Sequence, residues 1–318
     1  MAGGIVFIRR AGRFYPSSVS QPQSVAVFSP AKINLFLAIT GRRADGFHDL
    51  VSVTVPLEFG DDLVAKSAGT EAAGAQFTLA CDSPEVPLDD SNLILRAAKA
   101  YAAATGWSGH VHFRLTKRIP MGAGLGGGSS NAVAALLALE QLTGGRAGRA
   151  KLAELAAGLG SDCAMFLQAA PVVMRGRGEL VSPLPVAAVT RLHRQRLLLF
   201  KPGYGVSTPW AYGRMVARGT DYMPVPEAES RLAAWVTQPK SAADLLFNNM
   251  EPAVFAKHVA LPALLGRLRR NFGVAAGMSG SGSACFALLP AGQEAAPLIE
   301  AVREAWGAPA FVQETRCA

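Results

Sequence analysis

The sequence predicts an α+β protein of two domains, and three observations carry that expectation. Its strand-like segments alternate apolar with polar residues, the pattern of antiparallel sheets rather than of a parallel sheet buried on both faces. Groups of strands and Ala/Leu-rich helices follow one another in an order that suits α+β layers. The 318 residues are about twice the usual size of one domain. Half of them are hydrophobic and 17% are charged, which supplies a core and excludes a disordered chain.

Residues 1–23 carry Arg9, Arg10 and Arg13 with no acid and no sizeable apolar stretch. That composition excludes a secretory signal and faintly resembles a transit peptide; a flexible or over-called start is the plainer expectation. In residues 32–39, Ile33, Leu35, Leu37 and Ile39 alternate with the rest, so Lys32 and Asn34 share the opposite face of a strand. A turn at Asp45-Gly46 and a second alternating strand through Val51, Val53 and Val55 follow. Ser91 is expected to cap a helix through Leu93, Ala97 and Tyr101 that Gly106 ends. Val111, Phe113 and Leu115 mark a half-exposed strand, which leads through Pro120 into a glycine-rich segment and a helix from Asn131 to about Leu142. A helix over 151–159 stops at Gly160, and Ser161-Asp162 opens a short one.

Between Pro183 and Arg196 the periodicity fades, which puts the expected boundary between an N-terminal domain (24–185) and a C-terminal domain (186–318). Beyond it come a strand at 197–200, helices between about Pro209 and Asn271, strands at 274–277 and 284–288, a helix at 294–305 and a strand at 310–313.

Composition also limits function. Lys and Arg outnumber Asp and Glu by 31 to 23, and this +8 is scattered, which suits an anionic ligand but not a nucleic-acid face. Cys81, Cys163, Cys285 and Cys317 are far apart with no CxxC, so neither a disulfide framework nor a zinc site is supported, and a reducing cytoplasmic compartment fits. No apolar run approaches the roughly 18–20 residues of a membrane span.

Residues 120–131, Pro-Met-Gly-Ala-Gly-Leu-Gly-Gly-Gly-Ser-Ser-Asn, carry the strongest local signal. Five glycines among residues 122–128 free the backbone to turn its N–H groups on a ligand. Ser129 and Ser130 add hydroxyls where a helix begins, and a helix N-terminus with converging amides is a phosphate site. A Walker A loop is excluded by the missing lysine. Gly122, Gly124 and Gly127 satisfy GxGxxG with Glu140 downstream, but a Rossmann first strand is buried on both faces, whereas His112 and Arg114 alternate with Val111 and Phe113.

A second glycine- and serine-rich segment, residues 277–283, lies between two apolar strands; its small residues suit close approach to an oxyanion or to the first loop, and a plain hairpin linker would look the same. Lys32, Asn34, His48 and Asp162 each have an ordinary structural explanation alone. Together they supply what a phosphoryl transferase needs, a carboxylate for the acceptor proton and a cation for the developing charge.

Residues 29–35 (Ser-Pro-Ala-Lys-Ile-Asn-Leu), 120–131 and 277–283 resemble the three ordered motifs of the GHMP small-molecule kinases. The stretch Asp45-Gly46-Phe47-His48 narrows the resemblance to members acting on a cytidine-diphosphate-linked methylerythritol. Running from about Ser24 to the C-terminus, the resemblance implies a ribosomal protein S5 domain 2-like N-terminal domain and a ferredoxin-like C-terminal domain. It implies ATP-dependent phosphorylation of the 2-hydroxyl of 4-diphosphocytidyl-2-C-methyl-D-erythritol, in the non-mevalonate route to isoprenoid precursors. Asp162 matches the catalytic base, and Lys32 the lysine that holds that carboxylate and steadies the alkoxide. Pro120, Gly122, Ala123, Gly124, Leu125, Gly126, Gly127, Gly128, Ser129 and Ser130 match the ATP cradle. Mg²⁺ would neutralise the β and γ phosphates, with no acidic ligand assigned. Asn34, Phe47, His48, Tyr212, Gly280 and Ser281 match the substrate side.

Two departures stand out beside the N-terminal extension. Phe47 replaces a frequent Tyr, which keeps stacking and loses a hydroxyl, and Val53-Thr54-Val55-Pro56-Leu57 is less polar than the family pattern. The competing expectations are another GHMP kinase acting on homoserine, mevalonate or a sugar, and a non-catalytic nucleotide- or RNA-binding module. The expected partners are ATP and a small-molecule substrate, without nucleic acid or membrane, for a monomer or weak homodimer.

Overall fold

A computed structural model describes residues 5–8, 23–68 and 74–318. The chain forms two compact units that interleave along the sequence. Unit 1 takes residues 1–31, 60–119 and 126–169, and unit 2 takes residues 32–59, 120–125 and 170–318.

Unit 1 contains β1 (Ile5–Ile8), the first part of β2 (Ser24–Arg42), the end of β3 (His48–Ser67), β4 (Gln76–Cys81), α1 (Leu93–Thr105), β5 (His110–Thr116), α2 (Gly127–Leu142) and α3 (Gly148–Leu159). β1 pairs parallel with β2, so four residues of the stretch read as a flexible extension are ordered; the rest of 1–22 lies outside the described residues. The end of β3 pairs antiparallel with β5, and β4 pairs parallel with β5. The latter pair is joined through α1, as a parallel pair requires a crossover. β5 alternates as read, with Val111, Phe113 and Leu115 buried and His112 and Arg114 exposed.

The cap of α1 corrects the expectation at Ser91. Asn92, extended at φ −72° and ψ 130°, accepts a hydrogen bond from the Ile94 amide, while the Ser91 amide and hydroxyl both donate to Asp89. Gly106 ends the helix in the left-handed region, as expected. α2 begins at Gly127, four residues before the expected Asn131, with Gly126 at φ 71° as its N-cap. Nearly every position from Ser130 to Leu142 is buried, and α1 packs against it. Glu140, the residue a dinucleotide fold would turn on a ribose, is 2% exposed. Its carboxylate accepts from the Tyr101 hydroxyl and from the amides of Ala147 and Gly148, capping α3, so it serves structure.

Unit 2 adds β6 (Val172–Arg175), β7 (Leu180–Pro183), α4 (Val186–Leu192), β8 (Arg196–Lys201), α5 (Thr208–Arg218), α6 (Val225–Thr237), β9 (Phe247–Asn248), α7 (Glu251–Phe255), α8 (Ala260–Phe272), β10 (Ala276–Met278), β11 (Cys285–Leu288), α9 (Ala296–Trp306) and β12 (Phe311–Arg316). The fading pattern after Pro183 is the short helix α4, which buries only Ala188 and Leu192 and therefore shows no stripe. Four strands form an antiparallel sheet in the order β10-β11-β8-β12. With helices after β8 and α9 after β11, this is the ferredoxin-like βαββαβ arrangement. α5, α7, α8 and α9 cover it through Met215, Val254, Leu264, Leu268, Leu298 and Val302. The unit-2 part of β2 pairs with β9, and the unit-2 part of β3 pairs with β6. Among the described residues no helix is long and apolar enough to cross a membrane.

Candidate active site

In unit 1 the site is built on the N-terminus of α2. Gly126 offers no side chain to cap the first-turn amides, and Gly127 and Gly128 keep the backbone bare there. The turn that carries Asp162 lies against this helix end: a Cβ built on Gly160 would stand 3.8 Å from Ser129 Oγ. Beside Asp162, the Cys163 thiol is pushed up to about 11 by burial, against a hydrogen bond with Ser129 that lowers it. It therefore remains a neutral thiol and no rival nucleophile. Ser130 is not presented as expected. It is 1% exposed, and its hydroxyl accepts from Ser29 Oγ at 2.8 Å.

Behind this helix end lies a buried acid that the sequence reading missed. Asp61, fully buried, accepts from Lys117 Nζ at 2.6 Å, the amides of Arg118 and Ile119 at 2.7 and 2.8 Å, and Asn131 Nδ2 at 2.9 Å. Asn131 also donates to Ser29 Oγ, so β2, β3, the turn after β5 and the first turns of α2 are tied at one carboxylate. The only signal in the sequence was an Asp-Asp pair in a strand, with nothing to say which member turns inward.

In unit 2 the loop of residues 120–125 is held by β2 and by the Gly/Ser segment. Leu125 O accepts from the Lys32 amide, Ala123 O from the Ala284 amide and Gly124 O from Ser279 Oγ. Gly124 has φ 75°, and a Cβ there would meet Ser279 O at 2.4 Å, so only glycine fits the approach. The small residues of 277–283 thus meet the first loop, one of the two uses read from the sequence. Leu125 and Ala123 are buried and their carbonyls are engaged within unit 2, so both serve to hold the loop.

Lys32 and Asn34 do share a face, but that face is buried at 4% and 5% exposure rather than solvated. A buried ammonium needs hydrogen-bond acceptors. Lys32 Nζ donates to Asn34 Oδ1 at 2.7 Å, and Asn34 Nδ2 donates to Ser52 Oγ and Thr54 Oγ1 at 2.8 and 3.1 Å. Thr54 belongs to the stretch that looked too apolar for the family, and its one hydroxyl orients the amide that orients Lys32. Gly280, at φ 59°, borders the same cation: a Cβ there would lie 3.6 Å from Lys32 Nζ. Ser281 Oγ pairs with Thr208 Oγ1 at 2.8 Å.

Unit 2 also holds an aromatic group. His48 stacks on Tyr212 with centroids 4.6 Å apart, and its Nε2 lies 3.1 Å from the Tyr222 hydroxyl. Burial, helped by Arg42, holds the His48 pKa below the usual histidine range, so the ring is neutral near pH 7. Tyr222 was not foreseen; it sits in a turn without periodicity. Phe47 is half-exposed, with the Arg177 guanidinium 4.9 Å from its ring centroid. Among the described residues no group of three or more His, Cys, Asp or Glu gathers to hold a metal.

The fold, the phosphate-type helix end and the buried Lys–Asn pair define a small-molecule kinase of the GHMP class. Two family models agree: that for the GHMP kinases N terminal domain matches residues 92–170, and that for GHMP kinases C terminal matches residues 236–308. A 4-diphosphocytidyl-2-C-methyl-D-erythritol kinase of Methylacidiphilum infernorum is 38% identical over 82% of this chain and 85% of its own length. One from Nitratidesulfovibrio vulgaris is 36% identical over 88% and 95%. A solved 4-(cytidine 5'-diphospho)-2C-methyl-D-erythritol kinase superposes with TM-score 0.72 at 34% identity, covering 92% of this chain and all of the other. A homoserine kinase from Cytophaga hutchinsonii shares the fold, at TM-score 0.70 and 21% identity over 96% and 98% of the chains. The chain belongs to the 4-diphosphocytidyl-2-C-methyl-D-erythritol kinase family of the GHMP kinases, and it is an ATP-dependent small-molecule kinase.

Proposed function

We propose that the protein transfers the γ-phosphoryl group of ATP to the 2-hydroxyl of 4-diphosphocytidyl-2-C-methyl-D-erythritol. The reading is carried by the aromatic group of His48, Tyr212 and Tyr222, whose flat faces suit a pyrimidine. The Asp162 carboxylate takes the proton of the acceptor hydroxyl as that oxygen bonds to the γ-phosphorus, and the bond to the β–γ bridging oxygen breaks to release ADP. The Lys32 ammonium, aimed by Asn34, offsets the negative charge that develops on the reacting oxygens. The amides of Gly126 to Ser129 hold the phosphates at the helix end. This donor set, one serine hydroxyl beside a single carboxylate, fits Mg²⁺ bound mainly by phosphate oxygens and water, with Ser129 supplying the hydroxyl. Bound there, Mg²⁺ would supply neutralisation of the phosphate charge. A cytoplasmic enzyme without nucleic-acid or membrane partners, monomeric or weakly dimeric, completes the proposal. NMR of the product tests the regiochemistry: a new phosphate monoester coupled to C2 is expected, and a monoester at C1 or C3 rejects it.

Two further outcomes follow from the aromatic group. Tyr212→Ala removes the ring stacked on His48, and since stacking contributes about 1–3 kcal/mol per base, KM for the cytidine substrate should rise roughly 5- to 150-fold while KM for ATP stays near wild type. An unchanged KM would remove Tyr212 from the pocket. For His48 the folded pKa lies below that of the unfolded chain, so the unfolded state binds more protons as pH falls through about 6.5. The contribution to stability is therefore present above that pH and lost as pH falls from there through the lower folded value, and substrate binding by the neutral ring is lost as pH falls through the folded value. KM for the substrate should climb between pH 7 and 5 in the wild type, and His48→Gln should flatten that climb.

A further inference from the structure

The second strand pair of unit 2 suggests how the Gly/Ser loop is kept beside Lys32. Asn248 lies in β9, which pairs with β2 at Leu37, on the strand that carries Lys32 and Asn34. It is 7% exposed and its amide is fully used. Nδ2 donates to Met278 O at 2.9 Å and to Gly280 O at 2.8 Å, and Oδ1 accepts from the Met250 amide at 2.9 Å. The strand before the loop has other polar holds: Glu251 Oε1 accepts from the Met278 amide, and Arg269 Nη2 donates to Ala276 O. Neither reaches past Met278, and Asn248 does. A cavity of about 980 Å³ borders these same groups, lined by Asn248, Glu251, Arg269, Ala276, Phe247 and Phe255. No residue of the loop at 277–283 lines it; the loop is itself buried, and the Asn248 bonds act beside those of Ser279 Oγ, which donates to Gly124 O and accepts from the Asn34 amide.

We propose that Asn248 is a positioning residue for phosphoryl transfer: its amide couples the strand bearing Lys32 to the Gly280 carbonyl and so sets the spacing of the Gly/Ser loop to the cation. This rests on the kinase function proposed above. Gly280 leaves little tolerance, since a Cβ there would already touch Asn34 Oδ1 and Gly124 O at 3.4 Å. A shift of the loop by about 1 Å misplaces the reacting groups, an effect that can cost on the order of 100-fold in rate.

The test compares Asn248→Asp with Asn249→Asp in the full chain. The two asparagines are adjacent, equally buried at 7%, and each donates to two carbonyls. Asn249, however, holds Ile39 and Asp221 rather than the loop. Each aspartate turns a carboxylate oxygen on two carbonyls, so both variants should lose thermal stability alike. Turnover is measured well below the melting temperature and expressed per ATP-binding site titrated by calorimetry. Asn248→Asp should lower kcat about 10- to 100-fold with little change in KM for ATP, and Asn249→Asp should keep kcat. Equal kcat for the two variants would overturn the proposal and leave Asn248 a structural residue. Should either aspartate variant fail to fold, the milder pair Asn248→Ala and Asn249→Ala is read in the same way. Wild-type turnover on the cytidine substrate tests the function itself; the ratio between variants tests Asn248.

Discussion

Asp162→Asn should abolish most turnover while leaving nucleotide binding intact. The amide keeps the size and hydrogen-bonding reach of the carboxylate but does not accept the acceptor's proton at neutral pH. A positioned general base contributes about 10²–10⁴-fold, so kcat should fall by that amount. The α2 amides and Ser129, which hold the phosphates in this account, are untouched, and the ATP dissociation constant should stay within about threefold of wild type. The near neutrality of the Cys163 thiol matters here, because burial prevents it from standing in as a base. Wild-type kcat in Asp162→Asn would remove Asp162 from proton transfer and return the turn at 160–163 to a purely structural role.

The largest effect on stability is expected at Asp61. Its four donors converge from Lys117, Arg118, Ile119 and Asn131 on a site without water access. Asp61→Asn keeps one acceptor oxygen for the two backbone amides but turns an NH2 group on Lys117 Nζ and Asn131 Nδ2, so donors face donors. Breaking a buried pair in this way costs about 3–5 kcal/mol. At roughly 2–4 °C per kcal/mol, the melting temperature should drop by about 6–20 °C. Lys117→Met alone strands the buried carboxylate and should cost a similar amount, and the double variant should cost less than the sum, since the two share one interaction. A fall of less than about 2 °C in Asp61→Asn, small on the same scale, would show that the network is incidental.

How far such features were legible in the sequence depended on whether local pattern or distant partners decided them. β5 was legible because one face meets water and the other the core, so Val111, Phe113 and Leu115 announce it. The glycines before α2 were legible as a bare helix end, yet the start of the helix was placed late, since Gly126 to Gly128 have low helix propensity and read as loop. At α1, Ser91 and Asn92 are comparable caps by type, and only the competing acceptor Asp89 decides between them. Burial of Lys32 and Asn34 was illegible, because alternation predicts a polar face but not that Ser52, Thr54 and Gly280 will close over it. Asp61, Asn248 and Tyr222 share that reason: each gains its role from groups far away in sequence. The interleaving of the two units has the same origin. β2 and β3 each give residues to both, and nothing in a linear reading of alternating strands marks where the allegiance changes.

Specificity for a cytidine-linked alcohol is read from ADP release from Mg-ATP. Purified protein is offered 4-diphosphocytidyl-2-C-methyl-D-erythritol, mevalonate, homoserine and galactose in parallel, each also with Asp162→Asn. Turnover is expected with the cytidine substrate alone, lost in the variant. Turnover with one of the other alcohols and none with the cytidine substrate would contradict it.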